Sequence, residues 1–216
     1  MVSLSESDFW RSCDATATFY RLPTPKRARI VQAAYTEFAR APFCDASVSN
    51  IIRQAQVAHG SFYQYFQDKA DIFDYLLSLQ QNHNIAWMRE VLAQEDNDFF
   101  AAIAIVFDRL IDTLVTGPYA PFYANVFDYL HEQSPDFLKQ QPQTGAAVYL
   151  RDHLDRSRLK VNSDEEVELL IWQVVGMFVQ TMAAYYQNSE NPGSATELKQ
   201  KVARQLQWLA SGCVQG

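Results

Sequence analysis

Nine residues in one short stretch have the types and spacing for binding chemistry: Ser47, Arg53, His59, Gly60, Ser61, Tyr63, Gln64, Tyr65 and Lys69. The hydroxyls of Ser61 and Tyr63 suit phosphate oxygens. Gly60 has no side chain, so a backbone can be approached closely there. His59 and Gln64 carry side chains able to reach base edges, and a glutamine amide can pair bidentately with adenine. Ser47 and Arg53 lie one helix earlier and suit phosphate. Phe62 and Phe66, interleaved with these, read as core, and Tyr63 and Tyr65 are each also candidates for partial burial.

Reaction chemistry is not supported by comparable patterns. His83, His131 and His153 stand alone, without metal-ligand spacing, and His131-Glu132 does not continue into a zinc motif. Cys13, Cys44 and Cys213 are an odd, widely spaced set that reads as three free thiols. There is no nucleophile elbow, phosphate loop or glycine-rich dinucleotide turn. Neither catalysis nor a metal or cofactor is expected. The N-terminus lacks a basic segment followed by an apolar run, so a secretory leader is not expected and the chain reads as cytoplasmic.

The elements that would position the first set are helical throughout. Seven glycines and eight prolines in 216 residues leave long uninterrupted periodic stretches. A short helix is expected over residues 5–20, with Phe9, Cys13, Ala17 and Tyr20 on one face. Thr24 as cap and Pro25 as first residue open the next, where Ile30, Ala33, Ala34 and Phe38 form one buried stripe. Ala41-Pro42-Phe43 ends it. Ser47 is expected to cap a helix lined by Val48, Ile51, Ile52 and Ala55. A three-residue break, Gln56-Val57-Ala58, precedes a short helix over 59–66. Asp68 caps a longer helix reaching Leu92. Further helices are expected over about 97–115, 118–132 and 143–159, with a restart at Ser134-Pro135. Two capping boxes, at Ser163 and Ser194, open helices to about 186 and 211. The fold class is all-α, with residues 1–22 an extension, 23–69 one domain and 70–216 a second.

Charge separates the same regions. The net charge is −7, yet residues 21–69 hold seven basic and three acidic side chains, against eleven and twenty-two elsewhere. A basic block on an acidic body suits a polyanion at one end only. Three short helices with a three-residue break between the second and third make a helix-turn-helix, whose last helix enters a major groove. With Lys26-Arg27, Ile30, Ala33-Ala34 and Phe38-Ala39, then Val48, Ile51, Ala55, Val57-Ala58, Gly60-Ser61-Phe62-Tyr63, Tyr65-Phe66 and Lys69, the chain resembles the TetR family of bacterial regulators across residues 24–69. The resemblance implies DNA-backbone contacts for Ser61, Tyr63 and Lys69. A cation in the first turn of a helix opposes the helix dipole, and a phosphate contact would compensate Lys69 for that position. Two departures stand out. Gln56 occupies a place where the family usually has glycine and the backbone often turns left-handed. His59 stands where the family often has a cation, which weakens phosphate attraction and makes it pH-sensitive.

The remainder resembles the family's regulatory domain in length and helical plan. The resemblance implies a homodimer through the last two helices, a near-palindromic double-stranded DNA operator, and a small-molecule effector that releases a repressor. Leu169 to Tyr186 is apolar nearly all round, broken by Gln173, Gln180 and Thr181, and reads as a helix buried by its own core and a partner rather than a membrane span. Gly176 would let another helix come close. Trp87, Phe107, Phe122, Tyr123, Phe127, Tyr149 and Trp172 are candidate walls of a ligand cavity, each equally readable as core. Asp108 and Asp112, four apart, could face a cationic ligand. Gln56, His59 and the acidic total motivate the alternative: a helical ligand- or protein-binding module that has lost DNA recognition.

Overall fold

The computed structural model describes residues 15–133, 145–188 and 193–214. It is helical throughout, with one isolated bridge, Leu159 to Val214, and no named strand among the described residues. The helices are α1 (Ala17–Tyr20), α2 (Thr24–Arg40), α3 (Val48–Ala55), α4 (His59–Phe62), α5 (Lys69–Gln94), α6 (Phe99–Ile111), α7 (Ala120–Gln133), α8 (Gly145–His153), α9 (Asp164–Gln187) and α10 (Ala195–Cys213). The chain forms two compact units, Met1–Asn82 and His83–Gly216, and α5 carries it from the first into the second.

In the first unit, the apolar stripe of α2 (Ile30, Ala33, Ala34, Phe38) is buried, as are Ile51, Ile52 and Ala55 of α3, which packs on α2. Phe62, Phe66, Ile72, Phe73 and Leu76 complete this core, with Phe38 and Phe73 in edge contact at 4.9 Å. Each such ring contributes about 1.5–3 kcal/mol by leaving water. Three local expectations are corrected. Pro23 flanks α2, so Pro25 falls one residue further in than expected. The helix expected over 59–66 ends at Phe62, because the chain uncoils there and brings the neighbours Tyr65 and Phe66 both into the core. In α1, Phe19 is fully buried while Ala17 and Tyr20 are exposed, reversing the expected face; Phe9 and Cys13 lie outside the described residues.

The left-handed turn expected after α3 is present. Gln56 has φ 54° and ψ 47°, and its N–H and that of Val57 close on Arg53 and Ile52 carbonyls. Holding a non-glycine residue there costs about 1 kcal/mol.

In the second unit, α6 packs on α10, and α9 packs on α7, α8 and α10. Asp98, not Asn97, caps α6, its carboxylate accepting from the Ala101 N–H at 3.0 Å. Both expected serine caps form: Ser163 accepts from Glu166, and Ser194 with Glu197 makes a full reciprocal box. The returning bond of the first goes to the Asn162 N–H instead of Ser163. Ser134-Pro135 lies outside the described residues. The α6 rod does not end at Ile111 but widens into a π-turn, Asp112–Thr116. Such a turn takes carbonyls out of the regular ladder, and hydroxyls bond several of them. Thr113 donates to the Arg109 carbonyl, Thr116 to Asp112 and Tyr186 to Leu114. Burial pushes the Tyr186 hydroxyl above its ordinary range, so it remains a donor. At Gly117 a Cβ would sit 2.3 Å from the Thr113 carbonyl oxygen, so only glycine fits.

Candidate nucleic-acid interface

The α3–α4 pair sorts its side chains cleanly. Phe62, Tyr65 and Phe66 are buried, whereas His59, Gly60, Tyr63 and Gln64 are exposed and Ser61 half-exposed. Tyr63 is 49% exposed and its ring lies 5.3 Å from the His59 imidazole. A Cβ at Gly60 would meet nothing within 4 Å, so the protein itself does not require glycine there. Its smallness matters only to something arriving from outside. Tyr65 is corrected: at 3% exposure its ring packs inward, and it leaves the set of candidate contacts.

A buried carboxylate organises the leading edge of α3. Ser47 was expected to cap this helix, but its side chain makes no capping bond. Glu37, fully buried on α2, instead holds the residues that begin the helix. Its Oε1 accepts from the Ser47 N–H at 2.9 Å, from Asn50 Nδ2 at 3.0 Å and from Arg40 at 2.6 Å. The Arg40 guanidinium, with the Ser47 amide and Asn50, holds the Glu37 carboxyl down at about 2 against the desolvation that opposes ionisation. The relay continues outward, since Asn50 Oδ1 accepts from Arg53 at 3.0 Å. Glu37 therefore leaves the Ser47 hydroxyl uncommitted to its helix and orients the exposed Arg53. The signal was present in the sequence: position 37 lies on the buried stripe of α2, three residues before an arginine.

Lys69 is placed differently from expectation. Its ammonium donates to the Cys44 and Ala46 carbonyls at 2.9 and 3.1 Å and lies 4.7 Å from the Phe43 ring centre. These acceptors answer its unfavourable position in the first turn of α5 without any phosphate. The same turn is capped by Asp68, as expected, with Asp71 returning the bond to the Gln67 N–H. Lys69 thus ties the start of α5 to the α2–α3 connection, and one of its three donors remains for an outside acceptor.

Comparison with known proteins bears on this geometry. Residues 30–76 match the family model described as bacterial regulatory proteins, tetR family, and residues 98–213 match that of the tetracyclin repressor-like C-terminal domain. The chain belongs to the TetR family. It is a DNA-binding transcriptional regulator with the family's helix-turn-helix and all-helical C-terminal domain. A curated relative, the uncharacterised HTH-type transcriptional regulator YdgC of Bacillus subtilis strain 168, is 44% identical over 52 residues, which are 24% of this chain and 27% of that one. The match thus spans about a quarter of that relative. Among solved structures, a TetR family transcriptional regulator from Chloroflexus aurantiacus shares the fold at TM-score 0.52 and 22% identity, over 94% of this chain and 100% of the other. One from Pectobacterium atrosepticum does so at 0.63 and 14%, over 91% and 99%.

In the TetR-type C-terminal unit the seven candidate ligand residues are not brought together around one cavity among the described residues. Phe107 stacks on Phe178 at 4.1 Å, and Phe122 and Tyr123 are buried. Phe127 stacks on Tyr186, Trp87 lies under the Arg109 guanidinium, and Tyr149 sits between Arg89 and His153. Trp172 lines an open groove of about 320 Å³ along α9 and α10, with Gly176, Met177, Gln180, Thr181, Lys201 and Gln205 also on its walls. Asp108 and Asp112 do not await a cationic ligand, because Lys199 bridges both at 2.9 and 2.7 Å.

Proposed function

We propose that this regulator is a homodimeric repressor that grips a near-palindromic operator and lets go when a small molecule binds its C-terminal unit. The observation that carries the DNA-contact assignment is the sorting of residues 59–66, with anchors buried and His59, Gly60, Ser61, Tyr63 and Gln64 turned out together. Ser61 and Tyr63 hold phosphate, with Ser47 and Arg53 from α3 and the remaining donor of Lys69. His59 and Gln64 read bases. Two copies place α4 in successive major grooves about 34 Å apart.

The pairing face is α9 with α10. The apolar window of α9 is long and apolar enough to cross a membrane by composition, yet only 44% of it is buried in one chain. Leu169 and Trp208 are 43% and 67% exposed, and a Cβ at Gly176 meets nothing in its own chain. A second copy laid on this face supplies the missing cover and fills the groove. The effector is taken to act by favouring a dimer state with different α4 spacing, which requires unequal affinity for the two states. Support for that last step comes from family membership.

The test is binding to duplexes selected from random DNA by the purified protein, over a range of salt. Tight binding with a steep inverse salt dependence is expected, since each phosphate neutralised contributes about 0.9 to the slope. Arg53→Ala together with Tyr63→Ala should weaken it at least ~100-fold and flatten the slope. Binding that is insensitive to both salt and this variant would overturn the assignment.

A further inference from the structure

The segment ahead of the helix-turn-helix has no role in the reading above, yet it is built onto the recognition turn. α4 is a single turn and cannot hold itself. The carbonyls that follow it, those of Gln64 and Tyr65, are met from elsewhere in the chain. Thr16 Oγ1 donates to the Gln64 carbonyl at 2.7 Å, and the Thr16 N–H donates to the Tyr65 carbonyl at 3.1 Å. Three residues on, Phe19 is fully buried, its ring 4.9 Å from Phe66, 5.3 Å from Tyr75 and 6.0 Å from Tyr65. Ala15 is buried as well. The strap is fastened at its far end, where Arg27 donates to the Tyr20 carbonyl at 2.8 Å. Those of these contacts that reach the recognition turn fall on its inner side or trailing end, at Gln64, Tyr65 and Phe66, and none uses His59, Ser61 or Tyr63.

We propose that residues 15–20 are a positioning strap for base reading: Thr16 fixes the backbone at Gln64, and so sets where Gln64 points, while leaving the phosphate contacts alone. The proposal rests on the reading that His59 and Gln64 face bases. A side chain whose backbone is held can read an edge bidentately; one on a loose turn cannot, although phosphate contact tolerates looseness. Loss of Thr16 therefore lowers discrimination and not general affinity.

The experiment compares wild type, Thr16→Val, Thr16→Ser, Gln64→Ala and His59→Ala on a selected operator and on an unrelated duplex of equal length, each at several salt concentrations. The ratio of the two affinities is indifferent to how much of each preparation is folded. Thr16→Val, which keeps shape and removes the hydroxyl, should lower that ratio about tenfold, with the unrelated duplex and the salt slope unchanged. Thr16→Ser, which restores the donor, should recover the ratio to within about twofold of wild type. Equal losses on both duplexes would reduce the strap to a stability element and overturn the proposal, as would an unchanged ratio in Thr16→Val. If Gln64→Ala and His59→Ala leave the ratio intact, the base-reading assignment itself fails and the strap's role falls with it.

Discussion

The two units use aromatic residues in different ways. In the first, Phe19, Phe38, Phe62, Phe66 and Phe73 are all essentially inaccessible, and Tyr63 is turned out beside His59. In the second, several aromatic side chains meet partners singly: Phe107 with Phe178, Phe127 with Tyr186, Trp87 with Arg109. In the first unit the short helices α3 and α4 gather with α2 round one cluster of rings, and a ring's position in the sequence goes far toward deciding its destination. In the second, α9 packs on three other helices, and where a ring goes depends on which helix arrives opposite it. Spacing alone does not carry that information.

The largest expected break in this contrast is at Glu37, the one charged side chain buried in the first unit among the described residues. Glu37→Ala leaves the Ser47 amide and Asn50 without their acceptor and should destabilise the protein by about 2–4 kcal/mol in chemical denaturation. Its pH dependence has a definite sign. The carboxyl is held at about 2 against an ordinary 4.5, so its contribution is present in full above 4.5 and is lost as pH falls from there toward 2. Wild type should show that acid limb and Glu37→Ala should lack this part of it. A denaturation profile of the same shape in both would contradict the relay.

Next in size is the exposed face of the second unit. If Trp208 is a central anchor of the pairing face, Trp208→Arg should weaken dimerisation by about 2 kcal/mol or more, roughly thirtyfold, in sedimentation. Intrachain stability of the first unit should be untouched. An unaltered association constant would move the interface elsewhere. The smallest effect is expected at the turn. Gln56→Gly relieves a left-handed backbone and should stabilise by about 0.5–1 kcal/mol, and a loss of stability there would mean the Gln56 side chain has a function the backbone does not reveal.

What was legible follows the same division. Two helices of the helix-turn-helix, its three-residue break and the left-handed Gln56 were readable from caps, stripes and one odd residue, because each is a local property. The extent of the third helix was not, since Phe62, Tyr65 and Phe66 enter one core only if the helix stops. The carbonyl acceptors of Lys69 lie 23 and 25 residues away and leave no local mark, so its tie to the α2–α3 connection was not legible. Ser47 was expected to cap its helix, and the structure instead has its N–H held by Glu37 from another helix. The candidate ligand residues were chosen as aromatic, and which ring stacks on which, as Phe107 on Phe178 and Phe127 on Tyr186, depends on helices that spacing does not pair.

The π-turn after α6 has a consequence for how this chain can lose a residue. A π-turn is what a helix becomes when it absorbs one extra residue, and each residue turns a helix by about 100°. Removing the one extra residue should restore ordinary winding with the flanking segments still in phase, and take the Leu114 carbonyl away from the Tyr186 hydroxyl that bonds it. The π-turn is thus held both by its own threonine hydroxyls and by Tyr186, 72 residues on from Leu114.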